Sequence, residues 1–149
     1  MGTRHSSLSR RVVVTVCASA ALLTAAVAAS ATRAGDAASL QIAFATQVTF
    51  GEPPIGTFQA TAPLCVSGTT TDAVVRRTAT ETVVDRTFTC ADGSGHFTLR
   101  LRVLNADLSA TWRARAGDGL FANIRGHGRG QGAVTSDGEN DVNFGSVNL

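Results

Sequence analysis

The feature that most constrains this chain is a two-residue alternation of apolar and polar side chains. In the segment 40–50, large apolar residues occupy the even positions, and polar or small residues fill the odd ones. The segment 96–104 alternates in the same way, with Phe97, Leu99 and Leu101 on one face. A period of two is typical of a β-strand with one buried face. Both segments are therefore predicted to be half-buried strands.

Turn-forming residues divide the rest of the chain at intervals of about ten residues. The segment 69–89 is rich in Thr and Val, and its alternation slips near 76–81, which predicts two strands with a bend or bulge between them. A single helical turn is predicted at 120–124. Further strands are predicted at 57–62, 109–116, 126–132 and 141–149. The sequence thus predicts an all-β fold, an antiparallel barrel of about eight short strands; a sandwich is the alternative, and a barrel leaves no exposed strand edges.

The strands 96–104 and 109–116 are predicted to form a hairpin. A register that places Leu101 opposite Trp112 makes large side chains face small ones along the rest of the pair. The other predicted pairs are Leu99–Ala114 and Phe97–Ala116.

The glycines at alternate positions from 126 to 132 would lie on one face of a strand and allow close packing. The expected core is aromatic: Phe44, Phe50, Phe58, Phe88, Phe97, Trp112 and Phe144.

Residues 1–31 have the pattern of a cleaved, helical secretory signal peptide. Arg4, Arg10 and Arg11 precede an apolar run from 12 to 29, and small residues cluster at 26–31. Cleavage is expected within 28–31, leaving a single domain at 32–149, and an uncleaved anchor is the alternative. The Arg10–Arg11 pair leaves both Sec and twin-arginine export open. A secreted or extracytoplasmic protein follows, in contact with a membrane only during export.

The positive charge of the chain belongs to this leader. The full chain carries 13 basic residues, all Arg, and 11 acidic ones, for a formal charge of +2. Without the three leader arginines the acidic residues outnumber the basic ones by one. A nucleic-acid-binding domain is expected to keep a basic surplus, so nucleic acid is not a predicted partner.

Cysteine usage fits an exported chain. Cys17 lies in the apolar leader, which leaves Cys65 and Cys90 as an even pair. In an oxidising compartment such a pair predicts one disulfide. A reactive thiol is the alternative, although the spacing is far from Cys-x-x-Cys.

Glycines and aromatic residues in the second half carry a family resemblance. They are the run from Phe88 to Phe97 through Gly93 and Gly95, then Trp112, then the glycine-rich stretch 117–128. The segment 85–135 resembles a group of small exported bacterial proteins that are similar to the allene oxide cyclase and dirigent barrels. The resemblance implies an eight-stranded, calycin-like barrel. It implies little about activity, because barrels host many functions, and no catalytic residue of allene oxide cyclases maps onto this chain.

Motifs for cofactors, metals and catalysis are lacking. The glycine-rich stretch has neither the Rossmann nor the P-loop spacing, and the chain contains no Lys. His96 and His127, with Asp92 and Asp118 as companions, form no close-set metal-ligand motif, and solvated imidazoles are expected. No cofactor, metal or catalytic residue is predicted, and an enzyme is less favoured than a binding protein.

The arginines are the most informative polar residues. In the predicted hairpin Arg100 lies opposite Arg113, and Arg102 and Arg115 share their face. Directly opposed like charges are unfavourable, and Asp85 on the preceding strand is expected to offset them. Either this face is simply solvated, or it contacts an anion or acidic polymer, since guanidinium groups suit carboxylates and phosphates.

Arg86 is unusual because Val84 and Phe88, its neighbours at a spacing of two, are expected to face inward. The favoured interpretation is that a bulge turns Arg86 outward. The alternative is a polar group inside a ligand cavity, which would need a partner.

Three functions remain open at this level. The favoured one is a non-enzymatic secreted barrel. Such a barrel binds either a small apolar or amphipathic ligand or the surface of a partner, including an anionic surface. The second is an isomerase or cyclase that positions a hydrophobic substrate in the barrel. The third is a structural cell-envelope interaction protein without a cavity. Neither the ligand nor the oligomeric state follows from the sequence.

Overall fold

A computed structural model describes residues 39–149 of the chain. The predicted signal peptide lies outside these residues and stays a prediction. Within 39–149 eight antiparallel strands join in sequence order into a closed barrel, which confirms the predicted all-β fold. The strands are β1 Leu40–Thr49, β2 Ile55–Ala60, β3 Ser67–Arg77, β4 Glu81–Cys90, β5 His96–Leu104, β6 Ser109–Gly117, β7 Arg125–Val134 and β8 Gly138–Asn148.

Closure comes from the pairing of the first strand with the last. β1 pairs with β2 on one side and with β8 on the other, and the second pairing runs from Leu40↔Val147 to Thr49↔Gly138. Every strand therefore has two neighbours, and no backbone edge is left open. A short 3-10 helix, Gly119–Phe121, lies between β6 and β7, where a helical turn is predicted. No helix within residues 39–149 is long and apolar enough to span a bilayer.

The predicted hairpin register is confirmed at two of its three pairs. Leu101 lies opposite Trp112 and Leu99 lies opposite Ala114, but Phe97 lies opposite Gly117 instead of Ala116. The third pair is shifted because β6 has one extra residue, Arg115, at a bulge. A second bulge, in β3 between Val74 and Arg76, accounts for the slip in the alternation there.

One half of the barrel interior is filled with rings, and we call it the closed half. Phe88 has no exposed surface and lies at its centre, stacked on Phe97 with ring centroids 4.8 Å apart. Phe44 and Phe58 meet Phe88 edge-on at 5.4 and 5.1 Å. Such stacked and edge-to-face contacts add to the stabilisation that burial supplies. The closed half consists of Phe44, Phe58, Phe88, Phe97, Trp112 and Phe121.

The indole of Trp112 packs directly on backbone. Gly128 and Gly145 are paired across β7 and β8, and a Cβ at either position would lie 2.4 Å from ring atoms of Trp112. These two glycines therefore give the largest side chain of the core room to fit, as the alternating glycines predict.

Two of the seven residues predicted for the core are exposed, so that part of the prediction is wrong. Phe50 is 56% exposed because β1 ends at Thr49 and the next residue lies in the loop. Phe144 is 59% exposed because the odd-numbered residues of β8 face inward. Phe121, which the sequence prediction omitted, is buried against Phe97.

The predicted disulfide is confirmed. Cys65, in the loop between β2 and β3, is bonded to Cys90 at the end of β4, and both residues are buried beside the closed half. The bond links positions 25 residues apart. It restricts the unfolded chain and ties down the loop at this end of the barrel.

Removing this bond should lower the stability of the barrel without opening it. For Cys65→Ala with Cys90→Ala we expect the free energy of unfolding to fall by about 3 kcal/mol, chiefly because the unfolded chain gains entropy. Denaturant unfolding followed by Trp112 fluorescence measures this change. Wild-type protein under reducing conditions should show a similar loss, and an unchanged midpoint in both would contradict a structural role for the bond.

Candidate functional site

The last strand reverses the usual polarity of a barrel strand. In β8 the inward positions carry Glu139, Asp141 and Asn143, whereas Val142 and Phe144 point outward and are exposed. Asp141 and Asn143 are nearly inaccessible to solvent. Polar side chains are costly to bury unless they are paired, so this inversion requires partners inside the barrel.

Arg86, on β4, is the main partner. Its side chain is 4% exposed and forms a bidentate pair with Asp72, in which Nε donates to Oδ1 at 2.7 Å and Nη2 donates to Oδ2 at 2.8 Å. Nη1 donates to Asp141 and, at 3.0 Å, to the hydroxyl of Thr46. One guanidinium thus joins β1, β3, β4 and β8 across the interior.

The favoured expectation that a bulge turns Arg86 outward is wrong. The bulge lies in β3, and the even positions of β4 face inward along the strand, Arg86 included. Burial alone would lower the pKa of Arg86, but hydrogen bonds to Asp72 and the charges of Asp141 and Asp72 raise it above its ordinary value. Arg86 is therefore a permanently charged interior group.

Thr46 and Asn143 complete the network. The Thr46 hydroxyl and the Asn143 amide nitrogen both donate to Oδ1 of Asp141. The amide oxygen of Asn143 is buried and has no hydrogen-bond partner within residues 39–149. We call Thr46, Asp72, Arg86, Asp141 and Asn143 the polar layer, and it leaves at least one acceptor unused.

A cavity of about 240 Å³ lies on the other side of the polar layer from the aromatic rings. Asp72, Arg86, Asp141 and Asn143 form its floor, and Phe50, Pro54 and Leu108, from the loops after β1 and β5, lie at its mouth. Its wall carries the polar side chains of Arg77, Thr82, Asn105 and Gln131 beside a set of apolar ones, which are Val48, Val74, Val84, Leu101, Val103 and Ala110. This open half thus combines apolar surface with convergent polar groups, as is typical of a small-molecule site.

Glu139 lies in the same cavity, one inward position closer to the mouth than Asp141. Burial raises the pKa of its carboxyl; Arg86 lowers that pKa, Asp141 and Asp72 raise it, and the net change is upward. The folded protein therefore binds more protons than the unfolded chain from about pH 4.5, the ordinary pKa of this carboxyl, up to its raised folded value. Its contribution to stability falls as the pH rises through that window.

Replacing this carboxyl should stabilise the protein in a pH-dependent way. For Glu139→Gln we expect a higher free energy of unfolding at about pH 7, where the folded wild type must either bury the charge of Glu139 or bind a proton that the unfolded chain does not, and little change at about pH 3.5. Urea unfolding at both pH values measures the difference. Glu52→Gln, in the exposed loop after β1, is the matched control and should alter neither value. An equal effect of Glu139→Gln at both pH values would contradict the shift.

The other predicted arginines lie together on the outer surface. Arg100 is opposite Arg113 as predicted, with Arg102 and Arg115 on the same side of the sheet. Asp85 offsets Arg100 as predicted, accepting its Nε and Nη2 at 2.7 and 2.6 Å. The hydrogen bond from Arg100 holds the pKa of Asp85 below its usual range, against partial burial that would raise it. These four arginines are thus separated from Arg86 by the barrel wall.

The histidines take no part in the cavity. His96 contacts Asp118 at 2.9 Å near the closed end, and both side chains are about half exposed. His127 is exposed on β7. No group of three metal-ligating side chains occurs within residues 39–149.

Sequence reasoning missed the partners of Arg86. Asp141 lies 55 residues from Arg86 along the chain, so no local pattern links these two. Asp72 lies directly opposite Arg86 in the β3–β4 pair, and a register for that hairpin would have shown it. One usable signal was present: in the segment 141–144 polar and apolar residues alternate as regularly as in a strand whose apolar side chains are buried.

Comparison of the chain with protein-family models and with curated proteins finds no match.

Proposed function

We propose that this protein is a non-enzymatic carrier or sensor barrel that holds a small amphipathic molecule in its open half. The observation that supports this most is the division of the interior: one half is filled by rings, and the other encloses about 240 Å³ above a buried polar floor. A barrel that needed only stability would be expected to fill both halves with apolar side chains.

The floor selects for a hydrogen-bond donor. Of the five N–H donors of its guanidinium, Arg86 already uses four in hydrogen bonds to Asp72, Asp141 and Thr46. The groups on the floor that face the cavity are mainly acceptors, namely the carboxyls of Asp141 and, one position nearer the mouth, Glu139, whereas the donors of Arg77, Asn105 and Gln131 lie on the wall. A ligand carboxylate would bring another negative charge into this site. A hydroxyl or an amine is therefore the preferred polar group.

The size of the cavity limits the rest of the ligand. At about 240 Å³ it lies below the range of roughly 300–1,000 Å³ for pockets that hold drug-sized molecules. A short alkyl chain or one small ring fits such a space. We infer a compact amphipathic alcohol or amine.

Three probes with the same alkyl chain test this proposal: octan-1-ol, octylamine and octanoate. Titration calorimetry at about pH 7 should show binding of the alcohol and the amine, and octanoate should bind about tenfold more weakly or not at all. Equal binding of octanoate, or no binding of any probe, would overturn the proposed selectivity.

A variant that fills the cavity gives the matched control. Val84→Phe adds a ring to the cavity wall and should abolish octan-1-ol binding. Val142→Phe adds the same bulk to the exposed outer side of β8 and should leave binding unchanged. Circular dichroism shows whether both variants keep the β fold. Binding by folded Val84→Phe would place the site elsewhere.

A second candidate is an isomerase or cyclase of the allene oxide cyclase kind, in keeping with the resemblance of the segment 85–135. The observation that favours it is Glu139, a carboxyl with a raised pKa beside an apolar wall, which suits proton transfer to a hydrophobic substrate. Turnover lost in Glu139→Gln with octan-1-ol binding retained would support the enzyme. If a ligand that co-purifies with the protein is incubated with it and undergoes no chemical change, the carrier function is supported.

The place of action follows from the predicted leader together with the disulfide. Bonds such as Cys65–Cys90 persist in oxidising compartments, so we propose that the barrel works outside the cytoplasm. The third candidate, a structural envelope protein without a cavity, is less well supported because its interior should be filled.

A further inference from the structure

Six arginines cover the outer surface of three neighbouring strands. Of the nine arginines in residues 39–149, only Arg76, Arg77 and Arg86 lie elsewhere, whereas β5, β6 and β7 carry no outward acidic residue at all. The same residues contain ten Asp and Glu, so the charge of the domain is close to balanced but strongly segregated. We define the arginine face as Arg100, Arg102, Arg113, Arg115, Arg125 and Arg129.

The register places these charges in rows. Arg113 lies opposite Arg100 on one side and opposite His127 on the other, and Arg129 lies opposite Thr111, which faces Arg102. Neighbouring strands are about 4.8 Å apart, and successive outward residues of one strand are about 6.7 Å apart. Like charges at such spacings repel each other and lower the stability of the sheet. The repulsion between these arginines therefore has to be offset by negative charges nearby.

Carboxylates offset it at one edge only. Asp85 takes a bidentate pair from Arg100, and Glu81 accepts from Arg102. Arg113, Arg115, Arg125 and Arg129 form no ion pair within the part of the chain that the structure describes, and all four are exposed. The protein itself thus supplies paired carboxylates for the first strand of the face, whereas the next two strands have no ion pair and only the charge of Asp85 near Arg115.

We propose that an acidic polysaccharide with carboxylate groups docks across the arginine face. A guanidinium matches a carboxylate in a two-bond fork, and Arg100 with Asp85 shows that geometry on this very face. The exposed ring of Phe144, directly opposite Arg129, borders the face and offers a flat apolar surface on which a sugar ring can lie. This site is separate from the cavity of the proposed function and does not depend on it.

Other polyanions fit the face less well. Single-stranded nucleic acid is usually held by several aromatic side chains that stack on successive bases, and here one ring is present at the border. A membrane-binding surface inserts a broad apolar area beneath its basic residues, and the outward residues between these arginines include Thr111, His127 and Gln131. An extended chain that carries one carboxylate per sugar matches a row of separate guanidinium groups.

Affinity measurements on immobilised polygalacturonate test this proposal. We expect salt-sensitive binding by the wild type, about tenfold weaker binding by Arg113→Gln with Arg129→Gln, and no binding to neutral dextran. Arg77→Gln, which removes one charge outside the face, should bind within about twofold of wild type. The double variant should fold and bind octan-1-ol normally, so failure here is distinct from failure of the cavity proposal.

Three outcomes would overturn the proposal. They are binding by the double variant equal to that of the wild type, equal losses in Arg77→Gln and the double variant, and tighter binding to anionic phospholipid vesicles or single-stranded DNA than to polygalacturonate.

Discussion

Replacing Arg86 with methionine should lower the free energy of unfolding by about 3–5 kcal/mol, because it leaves Asp72 and Asp141 buried without their cation. The side chain is 4% exposed and forms ion pairs with both carboxylates. Methionine keeps the apolar stem and removes the charge and all four hydrogen bonds. Urea unfolding followed by circular dichroism at about pH 7 measures this loss.

Removing the carboxylates as well should recover most of that stability. In the triple variant Arg86→Met, Asp72→Asn, Asp141→Asn no charge remains in the polar layer, and replacement of a whole buried ion cluster is often nearly neutral. We expect the triple variant to be clearly more stable than Arg86→Met alone. A loss below about 1 kcal/mol in the single variant, or a triple variant that is weaker still, would contradict a neutralised ion cluster in the interior.

Replacing Phe88 with alanine should cost about 3–5 kcal/mol as well, for a different reason. Phe88 has no exposed surface and touches the rings of Phe44, Phe58 and Phe97. Truncation leaves a cavity that three rigid rings and a closed backbone cannot fill. Thermal and urea unfolding of the purified variant measure the effect.

Phe88→Leu is the matched control, because it keeps most of the apolar volume and loses the stacking, and it should cost roughly 1–2 kcal/mol. The folded fraction of Phe88→Ala should still bind octan-1-ol, since the cavity lies on the far side of the polar layer. Octan-1-ol binding that disappears while the variant is folded would show that the two halves do not act separately.

The fold follows from the sequence wherever local pattern decides it. Short stretches of sequence or a simple residue count are enough to predict the strands at 40–50 and 96–104, the match of Leu101 with Trp112 and the cysteine pair. The exposed Phe144 shows the limit of this rule. The alternation in β8 identifies a strand but does not say which side faces inward, and here the polar side does.

The candidate site could not be predicted as a whole, because the contact between Arg86 and Asp141 joins strands that are distant in the sequence. Arg86 is inward in phase with Phe88, yet without Asp72 and Asp141 an inward arginine is energetically unreasonable. Asp72 lies directly opposite Arg86 in the β3–β4 pair, but only closure of the barrel brings Asp141 on β8 to the same guanidinium. The outer arginines, by contrast, follow from a hairpin register that the local pattern does predict.

We propose that the open half of this barrel holds a small amphipathic molecule in its natural setting. Native mass spectrometry of the protein purified from its own source can detect such a molecule. We predict an added mass on the wild type and on Val142→Phe that is released on denaturation, absent from Val84→Phe, and identified as an alcohol or amine. An empty wild-type barrel, or the same added mass on folded Val84→Phe, would contradict it.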